Sequence, residues 1–200
     1  MQKIISLFKR NYENKSIEFN GEIIPPFRVY NEVVPGAEWV LAGEGTPTRK
    51  LDGTCCRIKD GILYKRFELK QGKTPPGDFE PAQAADPITG DQPGWVIVDF
   101  SSKEDRWFTE AANNAPFGNL SILGNGTYEL VGPKINGNKD EYDSHQLIKH
   151  GSIGFPSSEN PRTFDDIKSY LSVARIEGIV WHHPDGRMVK IKARDFGIKW

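Results

Sequence analysis

The chain has 200 residues, 37% of them hydrophobic and 11% aromatic, with 26 basic against 27 acidic side chains and a net charge of −1. That composition fits a folded globular protein able to bury a sizeable core, and it argues against both a disordered chain and a uniformly basic nucleic-acid binder. No apolar run approaches the ~20 residues of a membrane span, and Ile4-Ile5-Ser6-Leu7-Phe8 is too short for a signal-peptide core, so a cytoplasmic location with no membrane partner is expected.

Residues 3–12 are expected to form a short helix, with Ile4, Ile5, Leu7 and Phe8 on a partly amphipathic face. Asn20-Gly21, Pro25-Pro26 and Pro35-Gly36 then punctuate short extended pieces. Residues 54–58 and 62–69 are β-prone and flank Asp60-Gly61, a strong two-residue hairpin signal. Residues 71–94, rich in Pro, Gly and Asp, read as a long mobile loop. A buried strand is expected over 95–100, a short helix over 105–114 and a strand over 128–131. Residues 163–175 carry the best helical pattern, with Thr163 as cap, Asp166 three residues on, and an apolar stripe of Ile167, Tyr170, Leu171 and Ala174. Residues 176–182 and 187–193 close the chain as a hairpin around Pro184-Asp185-Gly186. Many strands and two or three helices give an α+β fold of antiparallel sheets with flanking helices.

Charge is spread unevenly. Residues 49–73 hold eight basic and three acidic side chains, and residues 186–200 hold five and one, whereas residues 74–105 hold one lysine and seven acids. Two basic segments far apart in sequence can form one positive surface for phosphates, or they can be ordinary solvated strand faces. The only cysteines, Cys55 and Cys56, are neighbours that cannot readily pair with each other. Two thiols alone make no zinc site of the usual type, so both read as small buried hydrophobes in a reducing compartment.

Four short segments carry the chemistry. In Arg49-Lys50-Leu51-Asp52-Gly53 a lysine among other cations can lose its proton more easily, as a nucleophilic amine must, and Gly53 lets backbone approach a ligand. In Tyr128-Glu129-Leu130-Val131-Gly132, strand alternation sends Tyr128 and Leu130 to one face and Glu129 to the other. Glu177-Gly178-Ile179-Val180-Trp181 starts an apolar strand on a carboxylate. In Val189-Lys190-Ile191-Lys192-Ala193, Lys190 and Lys192 share a face about 7 Å apart, a spacing that suits a polyphosphate. Each segment alone also has a plain reading as surface or strand-end charge.

Taken in this order, the four segments resemble motifs I, III, IV and V of the covalent nucleotidyltransferases, which include ATP-dependent polynucleotide ligases and capping enzymes. Lys50-Leu51-Asp52-Gly53-Thr54-Cys55-Cys56-Arg57 is similar to the signature of the small 5′-3′ RNA ligases, as are residues 30–36, Gly137-Asn138 and His150-Gly151. The resemblance implies a single adenylyltransferase domain over 1–200 with a nucleotidyltransferase (ATP-grasp-like) fold, residues 1–41 packed on its core, and no OB-fold domain.

By the same resemblance, Lys50 attacks the α-phosphate of ATP to give lysyl-AMP, AMP passes to an RNA 5′-phosphate, and a 3′-hydroxyl seals the strand. Asp52 orients the lysine loop, and Lys190 and Lys192 meet the phosphates. Glu177 helps hold Mg²⁺ (or Mn²⁺), and Glu129 binds the ribose hydroxyls or a metal-bound water. Arg66, with Arg57 as second choice, contacts phosphate or ribose. Phe155 and Ile179 bracket the adenine. The chain is expected to act as a monomer. The basic motif VI of larger relatives is not expected after motif V, so Arg49, Lys70, Lys73 or Lys199 is expected to substitute for its pyrophosphate contacts, or the N-terminal piece, residues 1–41, to close over the site. Two other readings are a minimal ligase of nicked duplex DNA and a non-catalytic nucleotide- or RNA-binding protein of the same fold.

Overall fold

The computed structural model describes residues 4–156 and 159–200; Met1, Gln2 and Lys3, where the expected N-terminal segment and its helix begin, lie outside the described residues. Strands β1 (Ile5–Ser6) and β2 (Phe8–Arg10) stand in place of the helix expected over 3–12. The adjacent Leu7 and Phe8 are both fully buried, and the Leu7 amide donates to the Lys190 carbonyl at 2.8 Å. Backbone pairing with the strand that holds Val189, which lies opposite Ile5, thus outweighs a weak local helical period. Next come β3 (Ile17–Phe19) and β4 (Glu22–Ile24), a hairpin across Asn20-Gly21, followed by β5 (Val29–Val33), which pairs with β2. Helix α1 (Glu38–Leu41) leads to β6 (Thr46–Lys50), the strand that ends on the lysine of the first motif.

The hairpin read at Asp60-Gly61 is formed by β7 (Thr54–Lys59) and β8 (Ile62–Leu69). Asp60 and Gly61 have φ of 53° and 77°, the left-handed pair that a two-residue hairpin turn requires. The segment 71–94 contains β9 (Glu80–Pro81) and the start of β10 (Gln92–Ile97), so the strand expected over 95–100 begins and ends earlier. Helices α2 (Arg106–Asn113) and α3 (Leu120–Leu123) precede β11 (Gly126–Val131) and β12 (Gln146–Lys149). Helix α4 (Phe164–Ala174) starts as expected, the Asp166 amide donating to the Thr163 hydroxyl at 3.2 Å. It ends on Arg175 in the left-handed region (φ 48°), which turns the chain into β13 (Gly178–His182) and β14 (Met188–Lys192).

The chain forms two units. The first comprises the described residues up to Leu51 together with Gly151–Trp200, and the second is Asp52–His150. The first, discontinuous unit holds the sheet β1-β14-β13-β6, antiparallel except for the parallel pair β1–β14. Its core gathers Leu7, Phe8, Trp39, Ile167, Leu171, Ile179, Trp181 and Ile191. The second, central unit is a six-stranded antiparallel sheet of order β12-β11-β7-β8-β10-β9. Its core packs Cys56, Ile58, Leu63, Tyr128 and Leu130 from one sheet face against Phe108, Ala111 and Ala112 of α2. The protein is therefore mixed α+β, with mainly antiparallel sheets and few helices.

Leu130 is fully buried in the central unit. Leu130→Ala should cost about 2–5 kcal/mol, read as a lowered urea midpoint. An unchanged midpoint would mean that this core is not packed as described.

Candidate functional site

In the discontinuous unit, β13 lies between β6 and β14, and the register sets Gly178 opposite Lys50 on one side and Lys192 on the other. Glu177 immediately precedes Gly178, and its backbone oxygen accepts from the Ala193 amide at 2.8 Å. Its buried carboxylate therefore meets both lysines: Oε2 accepts from Lys50 Nζ, and Oε1 lies 2.7 Å from Lys192 Nζ. A Cβ at Gly178 would sit 2.1 Å from the Ile191 carbonyl oxygen, so only glycine lets β13 and β14 come this close beside the carboxylate. The alternation expected in β14 holds, since Val189, Ile191 and Ala193 are buried in the core and Lys190 and Lys192 are partly exposed.

A cavity of about 720 Å³ in this unit is lined by Lys190, Lys192, Lys9, Arg10, Arg194 and Asp195, among others. Arg10 pairs with the buried Asp195, which also accepts from the Lys192 amide at 3.0 Å and so ties β2 to the end of β14. Arg10 and Lys9 come from the N-terminal strand and escaped the sequence reading, because a helix was expected there. The two residues proposed around adenine are also in this unit. Ile179 is fully buried in the core, and Phe155 packs edge-on against Tyr170, ring centroids 5.3 Å apart.

The central unit places its candidates on the sheet face opposite its core. The register pairs Glu129 with Cys55, Arg57 with Tyr64, and Arg66 with Trp95, so all six side chains share one face. Arg57 lies 4.4 Å above the Tyr64 ring and bonds Glu80 at 2.6 Å, while Arg66 lies 5.0 Å from the Trp95 ring centroid. Glu129 is buried; Oε1 accepts from the Gly53 amide at 3.1 Å, and Oε2 is 2.7 Å from His150 Nε2. A Cβ at Gly53 would fall 2.3 Å from the Leu130 oxygen and 2.6 Å from Glu129 Cγ, so the close approach this glycine permits here is to β11.

Asp52 is fixed from the segment after β11. Its amide donates to Asp140 at 2.8 Å, its carboxylate accepts from Asn136 at 3.2 Å, and Asn136 also donates to the Gly53 oxygen at 2.9 Å. Asn136 and Asp140 were not singled out in the sequence; the signal lay in Gly137-Asn138, a turn between them. The boundary between the units falls between Leu51 and Asp52, so Lys50, Glu177, Lys190, Lys192, Phe155 and Ile179 belong to one unit and Asp52, Arg57, Arg66 and Glu129 to the other.

The cysteines separate. Cys56 is fully buried, donates its thiol to the Tyr128 oxygen at 3.5 Å, and is pushed well above the usual thiol range by burial. Cys55, expected to be buried likewise, is only partly so and lies beside Glu129 and His150, because neighbours on a strand face opposite ways.

Burial pushes the Lys190 ammonium down from 10.5 to about 8, with Lys192 and Lys50 adding to the effect and Glu177 and Asp195 opposing it. Between those two pH values the unfolded chain keeps a proton on this amine that the folded chain has released, so this group makes stability rise with pH across the window. Lys190→Met should flatten that part of the profile in urea unfolding repeated from pH 8 to 10.5; a profile identical to wild type would contradict the assignment.

A profile of the family RNA ligase 1 matches residues 113–200, a stretch holding Glu129, Glu177, Lys190 and Lys192. The chain is 31% identical to RNA ligase 1 of Danio rerio over 222 residues, covering 76% of this chain and 67% of the relative. It is 27% identical to RNA ligase 1 of Pongo abelii, over 77% and 68% of the two chains, and 26% identical to that of Rattus norvegicus, over 76% and 67%. With two thirds of a 31% identical relative covered, the chain belongs to the RNA ligase 1 family.

Proposed function

We propose that this chain is an ATP-dependent RNA ligase of the nucleotidyltransferase (ATP-grasp-like) fold that adenylylates itself on Lys50. The observation that carries the reading is the ion-pair cluster of Lys50, Glu177 and Lys192, with Lys190 on the same strand face and a basic cavity alongside. Such a cluster has more cations than one carboxylate balances, which suits a nucleotide triphosphate.

In the first step the Lys50 nitrogen forms a bond to the α-phosphorus while the bond from that phosphorus to the α–β bridging oxygen breaks. Pyrophosphate leaves, and the amine gives up its proton. Because Glu177 engages Lys50 here, the lysine must leave that carboxylate before its lone pair can reach phosphorus. Lys190 and Lys192 meet the charge that develops on the leaving group. Arg10 and Arg194 in the same cavity are further cations for the departing pyrophosphate. In the second step an RNA 5′-phosphate oxygen attacks the lysyl-AMP phosphorus and releases Lys50. Finally an RNA 3′-hydroxyl attacks the activated 5′-phosphate, and AMP departs.

Glu177 offers two hard carboxylate oxygens beside a phosphate-binding strand, a donor set that fits Mg²⁺ or Mn²⁺ completed by phosphate and water. Such an ion, when bound, neutralises phosphate charge.

Incubation with ATP labelled at the α-phosphate should leave a labelled protein band that is lost in acid but not alkali, and is missing in Lys50→Ala. Glu177→Ala and Lys190→Ala should each lower labelling at least ten-fold, about 1.4 kcal/mol of barrier. No band with the wild type would overturn the mechanism, and normal labelling in both variants would overturn the cluster's role. Sealing of 5′-phosphorylated RNA should exceed sealing of a nick in duplex DNA; the reverse order would make the chain a DNA ligase.

A further inference from the structure

Glu129 has neighbours that a Mg²⁺ ligand does not call for. Its carboxylate, the Cys55 thiol and the His150 imidazole each offer one donor atom, and those atoms lie within 4.8 Å of one another. We propose that Cys55, Glu129 and His150 form a binding site for a borderline divalent transition-metal ion of the Zn²⁺ type.

The three residues come from adjacent parts of one sheet. Cys55 on β7 is directly paired with Glu129 on β11, and His150 follows β12, its amide donating to the Thr127 oxygen at 3.0 Å. A tetrahedral Zn²⁺ with bonds of about 2.0–2.3 Å sets its donors about 3.3–3.7 Å apart, so closing the site requires side-chain shifts of about 1 Å. The existing Glu129–His150 bond at 2.7 Å would open by less than that and exchange its shared proton for the ion. The far oxygen of Glu129 is already held by the Gly53 amide, which orients the carboxylate as an outer partner of a metal ligand does.

His150 turns one edge of its ring to the cluster. One ring nitrogen meets Glu129, while the other, Nδ1, is buried without a hydrogen-bond partner. Nδ1 lies across the ring from that contact, so Nε2 is the nitrogen that faces the cluster and would ligate the ion. The donor types select the ion. Thiolate and imidazole favour Zn²⁺ and its neighbours in the transition series over Mg²⁺ or Ca²⁺, and three protein ligands leave a fourth position for water or substrate. The site shares Glu129 with the nucleotide role that the resemblance implies, but its test requires no nucleotide.

The test uses the full chain, stripped with a chelator and titrated with Co²⁺ as a coloured stand-in for Zn²⁺. One Co²⁺ per chain should bind with a thiolate-to-metal charge-transfer band that Zn²⁺ abolishes by displacement. Cys55→Ser and His150→Ala should each lose the band while keeping the far-UV circular dichroism of the fold. No band in the wild type, or a band that survives Cys55→Ser, would overturn the site. If the variants do not fold, a wild-type measurement decides: bound Zn²⁺ should slow alkylation of Cys55 at least ten-fold by peptide mass mapping. An unchanged rate would overturn the proposal whatever the labelling with ATP shows.

Discussion

One carboxylate serving two ammonium groups organises the chemistry of the discontinuous unit. Glu177 is buried and shared between Lys50 and Lys192, with Lys190 two residues from Lys192 on the same face. Two unit charges about 4 Å apart in an effective dielectric of about 20 interact by about 4 kcal/mol, so cations left over after pairing are a considerable electrostatic load. The Lys190 ammonium is depressed chiefly by burial, and Lys192 and Lys50 add to the effect. The arrangement persists because the sheet leaves it no choice: β13 runs between the two lysine strands, and Gly178 lets β14 close against β13 beside the carboxylate. On the proposed mechanism a polyanion supplies the balancing negative charge, and drawing Glu177 away from Lys50 releases the amine.

The central unit is organised by a different constraint, the two-sidedness of its sheet. One face is committed to the core against α2, so every polar residue of β7, β8 and β11 that falls on the alternate positions is gathered on the other face. Glu129, Cys55, Arg57 and Arg66 come together there without being near in sequence. Gly53 and Asp52 are then fastened to this unit by Glu129, Asn136 and Asp140, so the residues just after the lysine have a rigid anchor.

How much of this could be read in the sequence depended on whether the signal was local. The Asp60-Gly61 hairpin, the Thr163 cap and the alternation around Glu129 and in β14 are set by neighbours within a few residues, and the structure has them as expected. The N-terminal strands carry no local signal, because β1 pairs with β14 far along the chain and β2 with β5, and Ile, Leu and Phe suit a strand as well as a helix. With that misreading went Lys9 and Arg10, which line the cavity beside Lys190 and Lys192. The division of the chain between Leu51 and Asp52 carries no Pro- or Gly-rich linker to mark it.

The pair Cys55-Cys56 shows why composition alone misleads. Two identical neighbours received one reading, yet a strand cannot give them one environment, because a single step along it reverses the side chain. Register then decides which is which: Tyr128 pairs with Cys56 and Glu129 with Cys55, so the thiol opposite an aromatic core residue is sealed and the thiol opposite a carboxylate joins a polar cluster. A shift of β7 by one residue would exchange them, burying the polar neighbour and exposing the core one. The cysteine on the polar face and the cysteine sealed in the core are therefore distinguished by the pairing of β7 with β11, which is the same pairing that sets Glu129 against Gly53.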